Sequence, residues 1–512
     1  MLMVARTLSV ALLGMTGAVV EVEAHIANAI PGFQLIGLPD AALSDAKDRV
    51  RAAAANDGCP LPTKKIVVNL SPASLPKQGS TYDLAIAIAV LAAEGCIAVD
   101  AISSVVHLGE LSLDGRVRPM QGLLPAMVAA RAAGFRRFVV PRGNEDEAAL
   151  VPDVEVTTVA SLRDALIRHG AELEADAVEP LRPIPAPAER PPVGDLADVV
   201  GNPDAVEALV VAAAGGHHLM MLGPPGAGKT MLAERLPGLL PDLDAEQALV
   251  VTSLSSLSGR PVNGLVTRPP LESPHHTTSA AALVGGGSKV IRPGAAARAT
   301  HGILFLDEAP EFPSAVLDAL RQPLESGSIT IHRAAAIAHF PGRFQLVLAA
   351  NPCPCGQFGT SDIACTCTPM LRRRYLSRMS GPLLDRVDLQ LRVNRVTTSA
   401  VRMMTEEGSR VSTRQARTRV EQARGVARER LAGTDWKTNA EVPGSWFRAG
   451  SRRLPSTTTA AIDRALERGT LTMRGYDRVL RVAWTIADLQ GATSPTADHL
   501  GWALFLRKSV AV

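Results

Sequence analysis

The hydrophobic pattern divides the chain into regions of different secondary structure. Near the N-terminus, an apolar run passes directly into an alternation of apolar and polar residues over 20–26, which predicts a half-buried strand rather than a signal peptide. Three apolar runs of strand length then occur at 218–222, 302–306 and 344–350. Because helix-like segments separate these runs, they predict a parallel sheet covered on both faces. Beyond residue 395 the pattern is helical and rich in arginine.

A proline-rich stretch at 179–192 separates the first region from the second. So many prolines can sustain neither a helix nor an inner strand, which indicates a stiff, extended linker. We therefore predict an α/β chain with an α/β domain over 1–175, a linker over 176–197, a parallel-sheet core over 198–395 and a basic helical lid over 396–512.

The composition is that of a folded protein, but the charge is unevenly distributed. Apolar residues make up 46% of the 512 residues and charged residues 20%, which excludes a disordered chain. Residues 371–512 hold 26 Lys and Arg against 13 Asp and Glu, a net charge of +13, although the whole chain carries only +3. This basic region predicts an anionic partner such as nucleic acid; solvated faces of arginine-rich helices are the alternative.

A glycine-rich motif follows the first of the three central apolar runs. It consists of Gly223, Pro224, Pro225, Gly226, Ala227, Gly228, Lys229 and Thr230. In such a P-loop the backbone N–H groups turn toward phosphates, and the following helix adds the positive end of its dipole. Lys229 is expected to reach the β- and γ-phosphates, and Thr230 to offer its hydroxyl to Mg²⁺. The motif predicts an enzyme that hydrolyses ATP with Mg²⁺.

Polar residues end the next two central strands. Asp307 is predicted to hold Mg²⁺, and Glu308 to orient or deprotonate the attacking water. Asn351 follows the third run, where its amide could orient the same water. An ordinary turn asparagine before a proline is the alternative for Asn351.

Four of the six cysteines lie within 353–367, as two Cys-x-Cys pairs: Cys353, Cys355, Cys365 and Cys367. Four thiolates can form a closed tetrahedral Zn²⁺ site, so we predict structural zinc, with reduced loop cysteines as the alternative. Cys59 and Cys96 are expected in the core. No apolar stretch reaches the roughly 20 residues that span a bilayer. We therefore expect a cytoplasmic protein without a membrane partner.

Several segments resemble the bacterial magnesium-chelatase-like AAA+ family, which includes the ComM-like competence proteins. The segments that carry the resemblance are 215–218, 274–277, 306–308, 320–325, 351–356, 381–388 and 474–489. The resemblance covers nearly the whole chain and implies a hexameric ring. It also implies that Arg386 is a finger that reaches the ATP of a neighbouring subunit, because an arginine offers a permanently charged fork of donors. Arg474 would be the second sensor, on the lid over the nucleotide.

The N-terminal region is similar to the Lon-protease domain at 69–87, 109–117 and 122–125. A serine–lysine protease needs a nucleophile and a lysine that accepts its proton. The resemblance places Thr81 at the nucleophile position but Leu124 at the position of the lysine. Leucine cannot accept a proton, so we expect this domain to be non-catalytic.

Together these features predict a ring-forming, ATP-dependent DNA motor, a helicase or branch-migration enzyme of recombination or DNA uptake. The expected partner is single-stranded or branched DNA, and the first candidate contacts are Arg372, Arg373 and Arg374. A solubilising or inter-subunit patch is the alternative for these arginines. The alternative functions are a chelatase-type ATPase that drives metal insertion through a partner subunit, and an ATP-driven protein remodeller.

Overall fold

The structure is a computed structural model that describes most of the chain. Its architecture is mixed α/β. The described residues are 4–37, 43, 45–77, 79–181, 194–287, 291–333, 336–359, 365–396 and 410–508. Most of the predicted proline-rich linker and the first part of the predicted lid region lie outside these residues. The predicted α/β fold class is confirmed, whereas the bounds of the four predicted segments stay predictions.

The N-terminal region contains a seven-stranded mixed sheet in the order β3-β4-β2-β1-β5-β8-β9. The strands of this region are β1 Val4–Leu13, β2 Thr16–Ala27, β3 Gly32–Ile36, β4 Lys65–Ser71, β5 Val105–His107, β6 Glu110–Leu111, β7 Val117–Arg118, β8 Arg137–Pro141 and β9 Glu155–Val159. Strands β1, β2 and β4 pair antiparallel, and the remaining neighbours in the sheet pair parallel. The alternating segment 20–26 lies within β2, as predicted.

Helices cover this sheet, and one of them is almost completely apolar. The helices are α1 Ala46–Asn56, α2 Asp83–Glu94, α3 Leu123–Ala132, α4 Glu145–Ala148 and α5 Leu162–Arg168. Every residue of α2 from Asp83 to Ala92 is buried. A helix that is apolar on all sides belongs in a core, and α2 lies against β1 and β2.

The central region contains a second sheet of five parallel strands, in the order β11-β14-β17-β10-β18. The strands of this region are β10 Leu219–Leu222, β11 Leu271–Glu272, β12 Gly285–Gly286, β13 Arg292–Pro293, β14 Ile303–Leu306, β15 Ser328–Arg333, β16 Ala336–Pro341, β17 Gln345–Ala350 and β18 Leu389–Arg392. Strands β10, β14 and β17 are buried along their whole length, because helices cover both faces of the sheet. The three predicted strands and their parallel arrangement are confirmed.

The helices of the central region alternate with these strands. They are α6 Pro203–Gly215, α7 Lys229–Leu239, α8 Ala245–Leu257, α9 Ala280–Val284, α10 Ala295–Arg298, α11 Ser314–Asp318, α12 Arg321–Ser326, α13 Pro369–Leu376 and α14 Gly381–Leu384. Two of them connect the central region to the regions on either side. Helix α8 packs against α3 of the N-terminal region, and α6 packs against the C-terminal helices.

The C-terminal region is helical, as predicted. Its helices are α15 Thr413–Arg430, α16 Gly444–Phe447, α17 Ser456–Glu467, α18 Met473–Leu489 and α19 Ala497–Lys508. A capping box between Ser412 and Gln415 starts α15, which is the long arginine-rich helix. Val420 of α15 belongs to the same buried core as Phe305 of β14, so this region packs directly onto the central sheet. Among the described helices, none is long and apolar enough to cross a bilayer.

Candidate nucleotide-binding site

The glycine-rich motif forms the loop between β10 and α7, as predicted. A Cβ at Gly223 would lie 2.2 Å from the carbonyl oxygen of Val393, so the approach of these two backbones requires glycine. Gly226 and Gly228 have φ angles of 76° and 91°, a region that glycine enters at little cost. Helix α7 begins at Lys229, directly after the loop. The loop therefore has the backbone form that a phosphate-binding loop needs.

The Lys229 side chain is buried beneath the loop. Its Nζ donates to the carbonyl oxygens of Gly223 at 2.7 Å and Pro224 at 3.0 Å, and to Oδ1 of Asn351 at 3.1 Å. Burial lowers the pKa of Lys229. The contact with Asn351 places the end of β17 next to the phosphate-binding loop, as the strand order of the sheet requires.

The two carboxylates after β14 lie close enough to Lys229 for their charges to raise its pKa against the effect of burial. Thr230 Oγ1 donates to Asp307 Oδ2 at 2.7 Å, so the two predicted Mg²⁺ ligands are adjacent. The donor set of one hydroxyl and one carboxylate fits Mg²⁺, which prefers oxygen ligands and is completed by substrate phosphates. Glu308 is half exposed and has a φ angle of 51°, a strained conformation for a residue other than glycine.

One residue of the site, His276, was not predicted from the sequence. Nδ1 of His276 lies 3.4 Å from Oε2 of Glu308, and the rings of His275 and His276 are tilted by 35° to each other with centroids 4.1 Å apart. The sequence signal for His276 is the Pro-His-His-Thr segment at 274–277, which is one of the segments that carry the family resemblance. Its position next to Glu308 depends on the loop between β11 and α9, which local sequence does not specify.

The four clustered cysteines converge beside the phosphate-binding loop. Their sulfur atoms all lie within 4.8 Å of one another, so this cluster could bind a metal ion. A backbone hydrogen bond from Gln357 lowers the pKa of Cys355 to about 6, whereas burial raises the pKa of Cys353. Cys353 is completely buried and follows Asn351 by two residues. The cluster is thus directly connected to the site around Lys229.

Arg386 and Arg474 lie together, away from the phosphate-binding loop. Both line a cavity of about 500 Å³ together with Arg321 and Glu325, and its described lining contains no residue of the loop 223–230. Arg386 forms an ion pair with Glu325, and its Nη1 donates to the carbonyl oxygen of Pro382 at 2.5 Å. Burial, followed by the charges of Arg321 and Arg474, lowers the pKa of Arg386. Each arginine's role in hydrolysis stays a prediction.

The arginine run 372–374 lies on helix α13, directly after the cysteine cluster. Thr368 caps this helix by accepting a hydrogen bond from the Leu371 N–H at 3.3 Å. Arg373 and Arg374 are exposed, and the guanidinium of Arg372 stacks 3.8 Å above the ring of Phe358. The helix therefore presents positive charge to solvent next to the cysteine loop.

Comparison with known proteins assigns this site to a family. Three family models match successive parts of the chain: "Subunit ChlI of Mg-chelatase" at 22–144, "Magnesium chelatase, subunit ChlI" at 195–401 and "Magnesium chelatase, subunit ChlI C-terminal" at 410–507. The competence protein ComM of Haemophilus influenzae is 40% identical over 97% of this chain and 96% of its own length. The chain belongs to the magnesium-chelatase-like AAA+ family. It is therefore an AAA+ ATPase, with ATP and Mg²⁺ as its cofactors.

Two further members of this AAA+ family are similar over nearly their full length. An uncharacterized protein of Mycobacterium tuberculosis is 48% identical over 99% of both chains. The uncharacterized protein YifB of Escherichia coli is 40% identical over 97% of this chain and 96% of its own length. The resemblance that the sequence segments carried is thus confirmed.

The N-terminal region of this AAA+ ATPase is also similar to part of a Lon protease. The match to the enzyme of Azospirillum brasilense is 29% identical over 121 residues, which is 23% of this chain and 15% of that protease. Leu124 is completely buried in α3, and its N–H donates to Glu147 Oε1 at 2.8 Å. The position to which the resemblance assigns the protease lysine is therefore occupied by an apolar core residue.

One expectation about the remaining cysteines was wrong. Cys59 is half-buried against the N-terminal core, but Cys96 is exposed. The reason is local: α2 ends at Glu94, and Gly95 turns the chain with a φ angle of 94°, which leads Cys96 out of the core.

Proposed function

We propose that this AAA+ ATPase is a ring-forming DNA motor that acts as a helicase or branch-migration enzyme in recombination or DNA uptake. Single-stranded or branched DNA would be its partner, and its functional form would be a hexamer. Its proposed cofactors are ATP with Mg²⁺ at the phosphate-binding loop and Zn²⁺ at the four cysteines. The similarity to a relative described as a competence protein, over 97% of the chain, supports the link to DNA.

The observation that carries the proposal is the position of the exposed arginines on α13. Arg373 and Arg374 project from a helix that starts two residues after Cys367, and the cysteine loop in turn contacts the phosphate-binding loop. A guanidinium is always charged and pairs well with phosphate oxygens. A DNA backbone bound to α13 would be separated from the ATP phosphates by the cysteine loop alone. This short connection would couple DNA binding to ATP hydrolysis.

The shared cavity of Arg386 and Arg474 supports a ring. An arginine finger stabilises the charge on the transferred phosphoryl group, so it must lie next to a phosphate. In this chain both arginines line a cavity apart from residues 223–230. We infer that Arg386 acts on the ATP of the neighbouring subunit, with Glu325 holding Arg386 until that subunit docks.

The alternative functions receive less support. Neither a chelatase-type ATPase nor a protein remodeller requires a row of exposed arginines on α13. Among the residues that the structure describes, no contact favours a partner subunit for metal insertion, and none favours an unfolded polypeptide as the substrate.

The experiment that tests the proposal reverses the charge of α13. Arg372→Glu, Arg373→Glu and Arg374→Glu together should weaken DNA binding and DNA-stimulated hydrolysis while leaving basal hydrolysis nearly intact. The matched control reverses three exposed arginines elsewhere in the C-terminal region, Arg453, Arg464 and Arg468, and changes the net charge equally. Unchanged DNA affinity with a collapse of basal hydrolysis would instead assign α13 to the subunit interface.

A further inference from the structure

The cysteine loop lies between two functional elements of the molecule. Toward the N-terminus it continues from Asn351, which accepts a hydrogen bond from Lys229 at 3.1 Å. Toward the C-terminus it leads into α13, whose cap Thr368 directly follows Cys367. Along the chain, the cysteine loop therefore connects the nucleotide site to the arginine helix α13.

The spacing of the sulfur atoms fits a tetrahedral zinc site. Zinc–sulfur bonds of about 2.3 Å in a tetrahedron place the sulfurs about 3.8 Å apart. The Cys353 sulfur lies 3.3 Å from that of Cys355 and 3.7 Å from that of Cys365, and the last two sulfurs are 3.6 Å apart. Cys367 completes the group within 4.8 Å. Four sulfurs leave no open position for a substrate, so the site is structural.

The same loop touches the phosphate-binding loop through a glycine. The Gly356 N–H donates to the carbonyl oxygen of Cys353 at 2.9 Å, which closes the turn between the first two ligands. A Cβ added at Gly356 would lie 2.6 Å from Cδ and 2.7 Å from Cγ of Pro225. Pro225 is part of the loop 223–230. The cysteine turn and the phosphate-binding loop are therefore in direct contact, without room for a methyl group between them.

We propose that a metal ion at the four cysteines braces the phosphate-binding loop, so that nucleotide affinity depends on metal occupancy. The ion fixes the turn from Cys353 to Gly356, and this turn supports Pro225 and keeps Asn351 beside Lys229. The inference rests on the proposed zinc site but not on DNA binding. A structural metal supplies the free energy that orders its loop. Loss of the metal should therefore weaken the contact of the turn 353–356 with Pro225 before the central sheet unfolds.

The first test removes the metal. The full-length protein, purified without chelator, should contain about one zinc per chain. Stripping the zinc should weaken the binding of a fluorescent ATP analogue by about tenfold, and reloading zinc should restore it. Cys355→Ser should behave like the stripped protein, whereas Cys96→Ser, at an exposed cysteine outside the cluster, should keep both zinc and affinity. Protein that contains no zinc, with all four thiols reactive, would overturn the inference.

The second test keeps the metal and disturbs only the contact. Gly356→Ala and Gly359→Ala impose the same kind of backbone strain, because the φ angles of the two glycines are 75° and 83°. Only the first brings a methyl group against Pro225, since no described residue lies within 4 Å of a Cβ at Gly359. Both variants should retain zinc, but Gly356→Ala alone should bind the analogue about tenfold more weakly. Equal affinities in zinc-loaded variants would refute the brace. Because no DNA is present, neither outcome affects the proposed motor function.

Discussion

A buried ion pair joins the C-terminal helices to the central sheet, and its removal should cost more stability than that of an exposed pair. Asp388 precedes β18 and is only 2% exposed; it accepts hydrogen bonds from Arg478 Nη1 at 2.5 Å and from the His218 N–H at 3.1 Å. Asp388→Asn would leave the Arg478 charge without its counter-ion. Breaking such a pair costs about 3–5 kcal/mol. Arg478 also donates to the Arg386 carbonyl oxygen at 3.0 Å, so it keeps one partner in the variant. We therefore expect Asp388→Asn to lower the free energy of unfolding by about 3 kcal/mol, the low end of this range.

The matched control is Glu207→Gln. Glu207 of α6 pairs with Arg419 of α15 at 2.7 Å, so it joins the same two regions, but its side chain is 38% exposed. An exposed pair contributes about 0–1 kcal/mol. The free energies of unfolding of the two variants, measured by urea unfolding with circular dichroism, should therefore differ by about 2 kcal/mol. Equal destabilisation would refute the assignment of the buried pair as the stronger connection.

The pH dependence gives an independent check on Asp388. Burial alone would raise the pKa of Asp388, but the charge of Arg478, a hydrogen bond from His217 and the charges of His217 and His218 together outweigh burial and hold this pKa well below 3.8. The stabilisation is therefore complete above pH 3.8 and is lost only as the pH falls through the lower value of the folded state. The difference between the wild-type protein and Asp388→Asn should stay constant from pH 7 down to about 5. A difference that vanishes in this range would contradict the ion pair.

Three further predictions concern hydrolysis, assembly and the N-terminal region. Glu308→Gln should bind ATP normally but lose most turnover, because the amide cannot take a proton; near-normal turnover would remove Glu308 from the role of base. Arg386→Ala should be inactive alone but partly active when mixed with Lys229→Ala subunits; mixed rings without rescue would argue against a finger acting in trans. Burial lowers the pKa of His169, which contacts His107 at 2.8 Å, to about 4. The folded state thus binds fewer protons than the unfolded state between pH 4 and 6.5, so stability should fall as the pH falls through this range. His169→Gln should reduce that slope in urea unfolding, and an unchanged slope would exclude the contribution of His169.

The elements that the sequence predicted correctly are those whose signals are local. The apolar runs that become β10, β14 and β17 are continuous, and the glycine-rich motif lies between a strand and a helix. Such features depend on residue order alone.

The features that the sequence did not predict depend on tertiary packing. His276 and Glu308 are separated by 32 positions and meet only because the loop after β11 folds over β14. The bond from the Gly122 N–H to Ser256 Oγ at 3.0 Å joins α3 to α8 across 134 positions. Neither pair has a periodicity or a motif that marks it as a contact, so only the packed structure reveals them.

The most direct test of the proposed DNA motor is the rate of ATP hydrolysis without DNA and with single-stranded, duplex and branched DNA, at two salt concentrations. If the protein is a DNA motor, single-stranded or branched DNA should stimulate hydrolysis. The apparent DNA affinity should also fall steeply with salt, by roughly 0.9 log units per phosphate contact for each tenfold rise in salt concentration on duplex DNA. Hydrolysis that no form of DNA stimulates at either salt concentration would refute the proposed motor function.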